Sequence, residues 1–149
     1  MKLGIILFCV LLAAAVLVIW LIRRKGRSIL PDDMEGHEFE RFCAELLEGN
    51  GFQEVEVTRG SGDYGVDILA EKDGVTYAVQ CKRYTGPVGV AAVQQAYAGR
   101  DYYERMVGVV LTNQYFTAPA VEMARKLKIL LWDRGYLEGM MEEGHDLLP

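Results

Sequence analysis

Apolar residues recur along this chain in three rhythms, and each predicts a different kind of element. From Leu3 to Ile22 they are almost unbroken, about 20 residues that are apolar or small on every face, the length a helix needs to cross a bilayer. From Phe39 the rhythm becomes helical: Phe39, Phe42, Cys43, Leu46 and Leu47 share one face, and Gly49-Asn50-Gly51 stops the run. Short segments then follow at Glu54–Thr58, Val66–Glu71 and Val75–Lys82. These read as strands, the last two joined by a Lys72-Asp73-Gly74 hairpin turn whose Asp-Gly pair suits positive φ. After Gly86-Pro87 the pattern predicts a helix over Val88–Tyr103, with Val90, Val93 and Tyr97 on its apolar side. Val107–Thr112 is continuously apolar, as a buried central strand should be. A helix at Thr117–Leu127, a strand at Ile129–Trp132 and a helix at Tyr136–Glu143 complete the order. Helix, three strands, helix, strand, helix, strand, helix predicts an α/β three-layer sandwich around a mixed sheet.

The N-terminal run changes the picture of where this domain works. Arg23, Arg24, Lys25 and Arg27 follow it at once, whereas only Lys2 precedes it. A secretory signal carries its charge before the apolar stretch and ends in a polar cleavage region, so an uncleaved transmembrane helix at residues 1–22 is expected. The positive-inside rule then puts the C-terminal domain in the cytoplasm of a single-pass protein of the cell membrane. Residues 23–36 form a basic juxtamembrane linker, and residues 37–149 the folded domain. Cys9, Cys43 and Cys81 make neither a disulfide framework nor a zinc-ligand spacing; they read as reduced packing residues.

Charge argues against one common way of holding nucleic acid. Five of the 16 basic residues lie before Ser28, and all 21 acidic residues lie after it. The part after Ser28 therefore sets 11 basic side chains against 21 acidic ones, near −10, the wrong sign for a broad basic surface. A cleft that holds a cation, however, needs local carboxylates, and the bound ion inverts the local electrostatics.

The candidate chemistry lies on neighbouring strands. Gln80 and Lys82 are two residues apart on one strand and so share a face, while Tyr77, Val79 and Cys81 point the other way and read as its buried side. Asp67 starts the preceding strand, where its direction is set; Asp63, the alternative acid, sits in the loop RGSGDYG. An aspartate to bind a hard divalent cation, an amide oxygen to complete its shell and a lysine to orient water or offset phosphate charge suit metal-dependent phosphodiester hydrolysis. On the first helix Glu40 lies at the margin of the apolar stripe, with Glu38 and Glu45 near the opposite margin and Glu48 toward solvent. His37 and His145 lie far apart in sequence, and no nucleophile elbow or phosphate-binding P-loop is present.

In the stretches GHEFERFCAELLEGNGF, VTRGSGDYGVDILA, YAVQCKRY, VGVVLTNQYFTAPAVEMARK and ILLWDRGYLEGM, the chain resembles the Mrr-type restriction endonuclease catalytic domain of the PD-(D/E)XK nuclease superfamily. The resemblance runs from about Gly36 to Met141 in the family's order. It implies a restriction-endonuclease-like sandwich and a DNA endonuclease. Asp67 would be the metal aspartate, Gln80 the replacement for the usual glutamate, Lys82 the catalytic lysine and Glu40 the helix glutamate. Asp67, Glu40, the Gln80 oxygen and the Cys81 backbone carbonyl would together hold Mg²⁺ or Mn²⁺. A neutral Gln80 removes one negative charge and should weaken metal binding. Arg59 and Arg83 flank the site as candidate phosphate contacts; Gln94 on the second helix is a further nucleic-acid candidate. DNA is the expected substrate, in restriction or processing of foreign DNA near the membrane, with a homodimer or partner protein supplying specificity. A reading of another class is a membrane-tethered DNA-binding or scaffold module that keeps the nuclease fold without efficient cleavage; the acidic balance and the missing strand carboxylate favour it.

Overall fold

A computed structural model describes residues 34–58, 62 and 64–145, together with the isolated positions Leu12, Ala14, Ala15 and Asp32; the side chain of His145 is outside the description. The expected membrane span and almost all of the basic linker therefore lie outside the described residues, as do Arg59 and Asp63. Among the described residues no helix is long and apolar enough to cross a membrane. The chain divides into two compact units, Met1–Leu30 and Pro31–Pro149, and every element below belongs to the second.

In chain order the elements are α1 (Gly36–Gly49), β1 (Gln53–Val57), β2 (Ile68–Lys72), β3 (Val75–Lys82), α2 (Val90–Tyr102), β4 (Val107–Thr112), α3 (Ala118–Leu127), β5 (Ile129–Trp132) and α4 (Arg134–His145). The five strands form one sheet in the order β1-β2-β3-β4-β5. The first three pair antiparallel and the last two join parallel, so the sheet is mixed. The β2–β3 connection is the expected two-residue turn: Asp73 and Gly74 both have positive φ, at 53° and 76°, as a type I′ hairpin requires.

Side-chain parity sorts the helices into two layers. Val110 and Ile129 pack with Ala92, Val93 and Ala96 of α2 and with Ala120 and Ala124 of α3. On the opposite face Trp132 packs with Phe52 and Tyr77 and stacks on Tyr136 of α4, while Cys81 meets Cys43 of α1. Val109, Val110 and Leu111 are fully buried; burying side chains of this size contributes roughly 1.5–3 kcal/mol each. β3 is enclosed on both faces as well, since Ala78 and Gln80 are as inaccessible as Val79 and Cys81. The polar member of that set, Gln80, therefore sits in the interior, where an amide is costly to keep without partners.

One departure from the sequence reading concerns α2. Its buried face is Ala92, Val93, Ala96 and Gly99, whereas Tyr97 is exposed and Val90 only half-buried. Ala92, Val93 and Ala96 pack in the Val110 and Ile129 cluster, whereas Gly99 is needed because the turn before β2 lies against it. A Cβ on Gly99 would collide with the Val66 side chain and come within 2.9 Å of the Tyr64 carbonyl. A Cβ on Gly65, whose φ is +80°, would lie 2.9 Å from the Gln95 carbonyl. Two glycines thus let the turn seat on the helix, and Asp67 follows two residues later with its direction set by the fold.

Candidate active site

Asp67 lies just ahead of β2, yet its backbone is already held in the sheet. Its N–H donates to the Val79 carbonyl at 2.8 Å, and its carbonyl accepts from Thr58 N–H at 2.9 Å. The carboxylate is buried with 8% exposure and turns toward β3. There Oδ2 accepts the Cys81 backbone N–H at 2.6 Å and the Gln80 Nε2 amide. Gln80 Nε2 also donates to the Cys81 carbonyl at 3.3 Å. Gln80 Oε1, by contrast, is buried with no hydrogen-bond partner.

These groups open on a cleft of about 620 Å³. Asp67, Gln80, Cys81 and Lys82 form its floor, Tyr64 and Gly65 one wall, and Ala91, Gln94, Gln95 and Ala98 of α2 another. Glu40 reaches it from α1, half-buried, with Oε2 3.1 Å from His37 Nδ1. Glu38, the near competitor on that helix, is engaged otherwise: its carboxylate accepts the Glu35 N–H at 3.0 Å and secures the helix start. Lys82 is half-buried at the end of β3, where its carbonyl accepts from the Thr112 hydroxyl at 2.6 Å. The cleft thus brings together Asp67, Gln80, Cys81, Lys82, Glu40 and Gln94.

Arg83 goes elsewhere. Its guanidinium donates to the Asp32 carbonyl at 2.9 Å, and it does not line the cleft. It belongs to a second polar cluster beyond the strand ends, centred on buried Asn113. Asn113 Nδ2 donates to Asp32 Oδ1 and the Tyr84 carbonyl, both at 3.0 Å, while Oδ1 accepts the Tyr84 N–H at 2.9 Å. Arg134 closes the cluster with an ion pair to Asp32 at 3.2 Å. The Asn113 hydrogen bond, and then Arg134, hold the Asp32 carboxyl below its usual range.

Charge in the cleft registers on its neighbours. The Cys81 thiol is pushed well up, chiefly by its hydrogen bond with Cys43 and by burial, with smaller contributions from Cys43, Asp67 and Glu40. Cys43 and Cys81 are both buried and unpaired by disulfide, so they serve as packing residues. Among the described residues no three His, Cys, Asp or Glu side chains gather as a metal cage. The oxygens at the cleft are those of two carboxylates, one carboxamide and one main-chain carbonyl, hard donors of the kind Mg²⁺ and Mn²⁺ prefer. Buried Gln80 Oε1 fits that set as an acceptor with unused lone pairs.

Sequence reasoning passed over Tyr64 and Asn113; it weighed Gln95 beside Gln94 but kept only Gln94, and it set His37 aside as a solvated helix residue. Tyr64 and Gln95 reach the cleft through the seating of the turn on α2, which hydrophobic periodicity does not report. Asn113 lay inside the TNQYFT stretch that carried the resemblance, but no local pattern gave it a role.

Comparison with known proteins places the fold and the family. Three solved structures share the fold. A crystal structure of AF1548, a protein of unknown function, matches with TM-score 0.60 and 24% identity over 71% of this chain and 65% of that one. The DNA modification-dependent restriction endonuclease AspBHI matches with TM-score 0.54 and 18% identity over 72% of this chain. The MspJI restriction endonuclease, solved in complex with a 27-mer oligonucleotide, matches with TM-score 0.51 and 23% identity over 77%. This chain spans 31% of the length of each of those two enzymes. No curated protein sequence matches it. The restriction endonuclease family Mrr_cat matches residues 31–141, a span that holds the whole sheet and every cleft residue. The chain belongs to the Mrr_cat restriction endonuclease family.

Proposed function

We propose that this protein is a divalent-metal-dependent DNA endonuclease, held at the cytoplasmic face of the cell membrane by its N-terminal apolar segment. The observation that carries the catalytic part is the convergence of Asp67, Gln80, Lys82 and Glu40 on one cleft. Membership of a restriction endonuclease family and the fold shared with two restriction enzymes support it. The membrane part rests on the Leu3–Ile22 stretch and the basic cluster that follows it.

Asp67, Glu40, the Gln80 carboxamide oxygen and the Cys81 carbonyl would hold Mg²⁺ or Mn²⁺, which when bound acidifies water and offsets charge on the phosphorane. The remaining work falls to the chain itself. Lys82 is a cation at the cleft floor; its N–H donors orient the attacking water and neutralise phosphate oxygen as charge builds. His37 steadies Glu40 through its 3.1 Å contact. The backbone hydrogen bonds on either side of Asp67 keep its carboxylate from following a moving substrate. Gln94 and Gln95 offer amides to the nucleic acid from the α2 wall. With a net balance near −10 after Ser28, substrate is held at this cleft rather than along a broad basic surface.

The competing reading, a tethered DNA-binding or scaffold module, has the acidic balance and the neutral Gln80 in its favour. One experiment decides between them. The full-length chain is offered methylated and unmethylated plasmid, single strands and a four-way junction, with Mg²⁺, Mn²⁺ or EDTA. Metal-dependent cutting that Asp67→Asn and Lys82→Ala both abolish is the expected result. A folded protein that binds but cuts none of these substrates would overturn the nuclease in favour of the module.

A further inference from the structure

The Gln80 carboxamide has two chemically opposite ends, and the structure shows which one faces the candidate metal ligands. Nε2 donates to Asp67 Oδ2 and to the Cys81 carbonyl. Both neighbours accept hydrogen bonds and neither can donate from those atoms, so the nitrogen end belongs there on chemical grounds alone. The Cys81 N–H supplies the third contact, again to Asp67 Oδ2. Oε1 lies at the other end of the amide, buried and without a partner.

We infer that the Gln80 amide N–H₂ group stands in for the cation between Asp67 and Cys81, and that cation binding turns the carboxamide over. This rests on the metal site proposed above. For Oε1 to join Asp67 Oδ2 and the Cys81 carbonyl around one ion, the amide must rotate by roughly half a turn about its terminal bond, a soft torsion. Turned over with no cation between them, three oxygens would face one another. Turned over around a cation, each of the three becomes a ligand. The two orientations therefore differ in affinity for the ion, and amide orientation and metal occupancy are linked in both directions.

A glutamate at this position behaves differently. It has no N–H₂ group to place against Asp67 and Cys81, so without metal it sets a third carboxylate beside Asp67 and Glu40. Glutamine keeps Asp67 Oδ2 and the Cys81 carbonyl hydrogen-bonded when no ion is bound, at the cost of competing with the ion. The neutral residue is thus both a weaker ligand and a plug in the site that must be displaced.

Side-chain amide NMR of the ¹⁵N-labelled full-length chain tests this together with calorimetric Mg²⁺ titration. The Gln80 signal is assigned through its proximity to the Cys81 amide proton. The inference expects Gln80 Nε2 protons that exchange slowly without metal, then shift and exchange faster as Mg²⁺ saturates the site. Gln80→Glu should bind Mg²⁺ on the order of tenfold tighter, because one more charged ligand is supplied and no amide is displaced. Its thermal midpoint should depend more strongly on Mg²⁺ than the wild type's. Mg²⁺ uptake that leaves the Gln80 protons unmoved would overturn the rotation while leaving the metal site standing. Absence of Mg²⁺ uptake by the wild-type chain would overturn the metal site and the rotation with it. The wild-type spectra decide the matter even if the Gln80→Glu chain fails to fold.

Discussion

Two primary amides are buried among the described residues of this domain, and they differ in what they leave unused. Asn113, after β4, has both amide protons and its oxygen engaged by Asp32 and the Tyr84 backbone. Gln80, in β3, has both protons engaged by Asp67 and Cys81 but its oxygen has none. Burial is nearly equal, 1% against 4% exposed, so burial does not separate them. Satisfaction does. A fully bonded amide fixes three segments against one another and has nothing left for a ligand. An amide with an unused oxygen beside a cleft still has an acceptor to offer a ligand. The first is a fastener and the second lines the candidate site.

Four substitutions test that division, the largest effect first. Lys82→Ala should lower cleavage about 1000-fold or more while thermal stability stays near that of the wild type, because the side chain acts on the transition state. Plasmid cleavage beside a melting curve checks both halves. Asn113→Ala should do the opposite. It leaves the Tyr84 N–H and carbonyl without their partner and should reduce stability by about 3 kcal/mol, with little change in Mg²⁺ affinity, as read by denaturant unfolding and calorimetry. Equal losses of metal binding in both variants would erase the distinction between fastener and site.

Glu40→Gln is expected to raise the Mg²⁺ concentration for half-maximal cleavage roughly tenfold, since it removes one of two carboxylates from the donor set. A metal titration of activity reads this directly. The smallest effect concerns Asp32. Its carboxyl is held low in the folded chain, so its contribution is full above its unfolded value near 3.8 and is lost as pH falls through the lower folded value. The carboxylate is largely exposed, so the loss should stay within about 1 kcal/mol. Asp32→Asn should remove that acid-side dependence and leave the neutral-pH melting curve almost unchanged.

The legibility of this chain follows the range of the forces involved. β3, β4 and β5 were read with the bounds they have, because continuous apolar runs and an Asp-Gly turn are local signals. The pairing of Asp67 with Gln80 was legible for a similar reason: a hairpin brings neighbouring strands together, and the period of two puts Gln80 and Lys82 on one side. The buried face of α2 was misread toward Tyr97, because alanine and glycine bury without raising the apolar signal. What selects Gly99 is the closeness of the 64–66 turn, a contact about 33 residues away in sequence, and what buries Ala92 and Ala96 is their packing with Val110, Ile129 and α3. Arg83 was read as a phosphate contact from its place beside Lys82, but alternation on the strand ends at Lys82, and a partner 51 residues away, Asp32, draws Arg83 aside.

By itself the sequence determined the element order, the sheet's hairpin, the apolar N-terminal stretch with its basic flank and the identity of the strand residues that carry the candidate chemistry. All of these depend on neighbours within a few residues, or on motifs that can be compared directly. Only the tertiary structure decided that Glu40 rather than Glu38 reaches the cleft, that Arg83 leaves it, and that Asn113 is satisfied where Gln80 is not. Those outcomes depend on which acceptors and donors meet across the fold, and a hydrogen bond has no length in sequence.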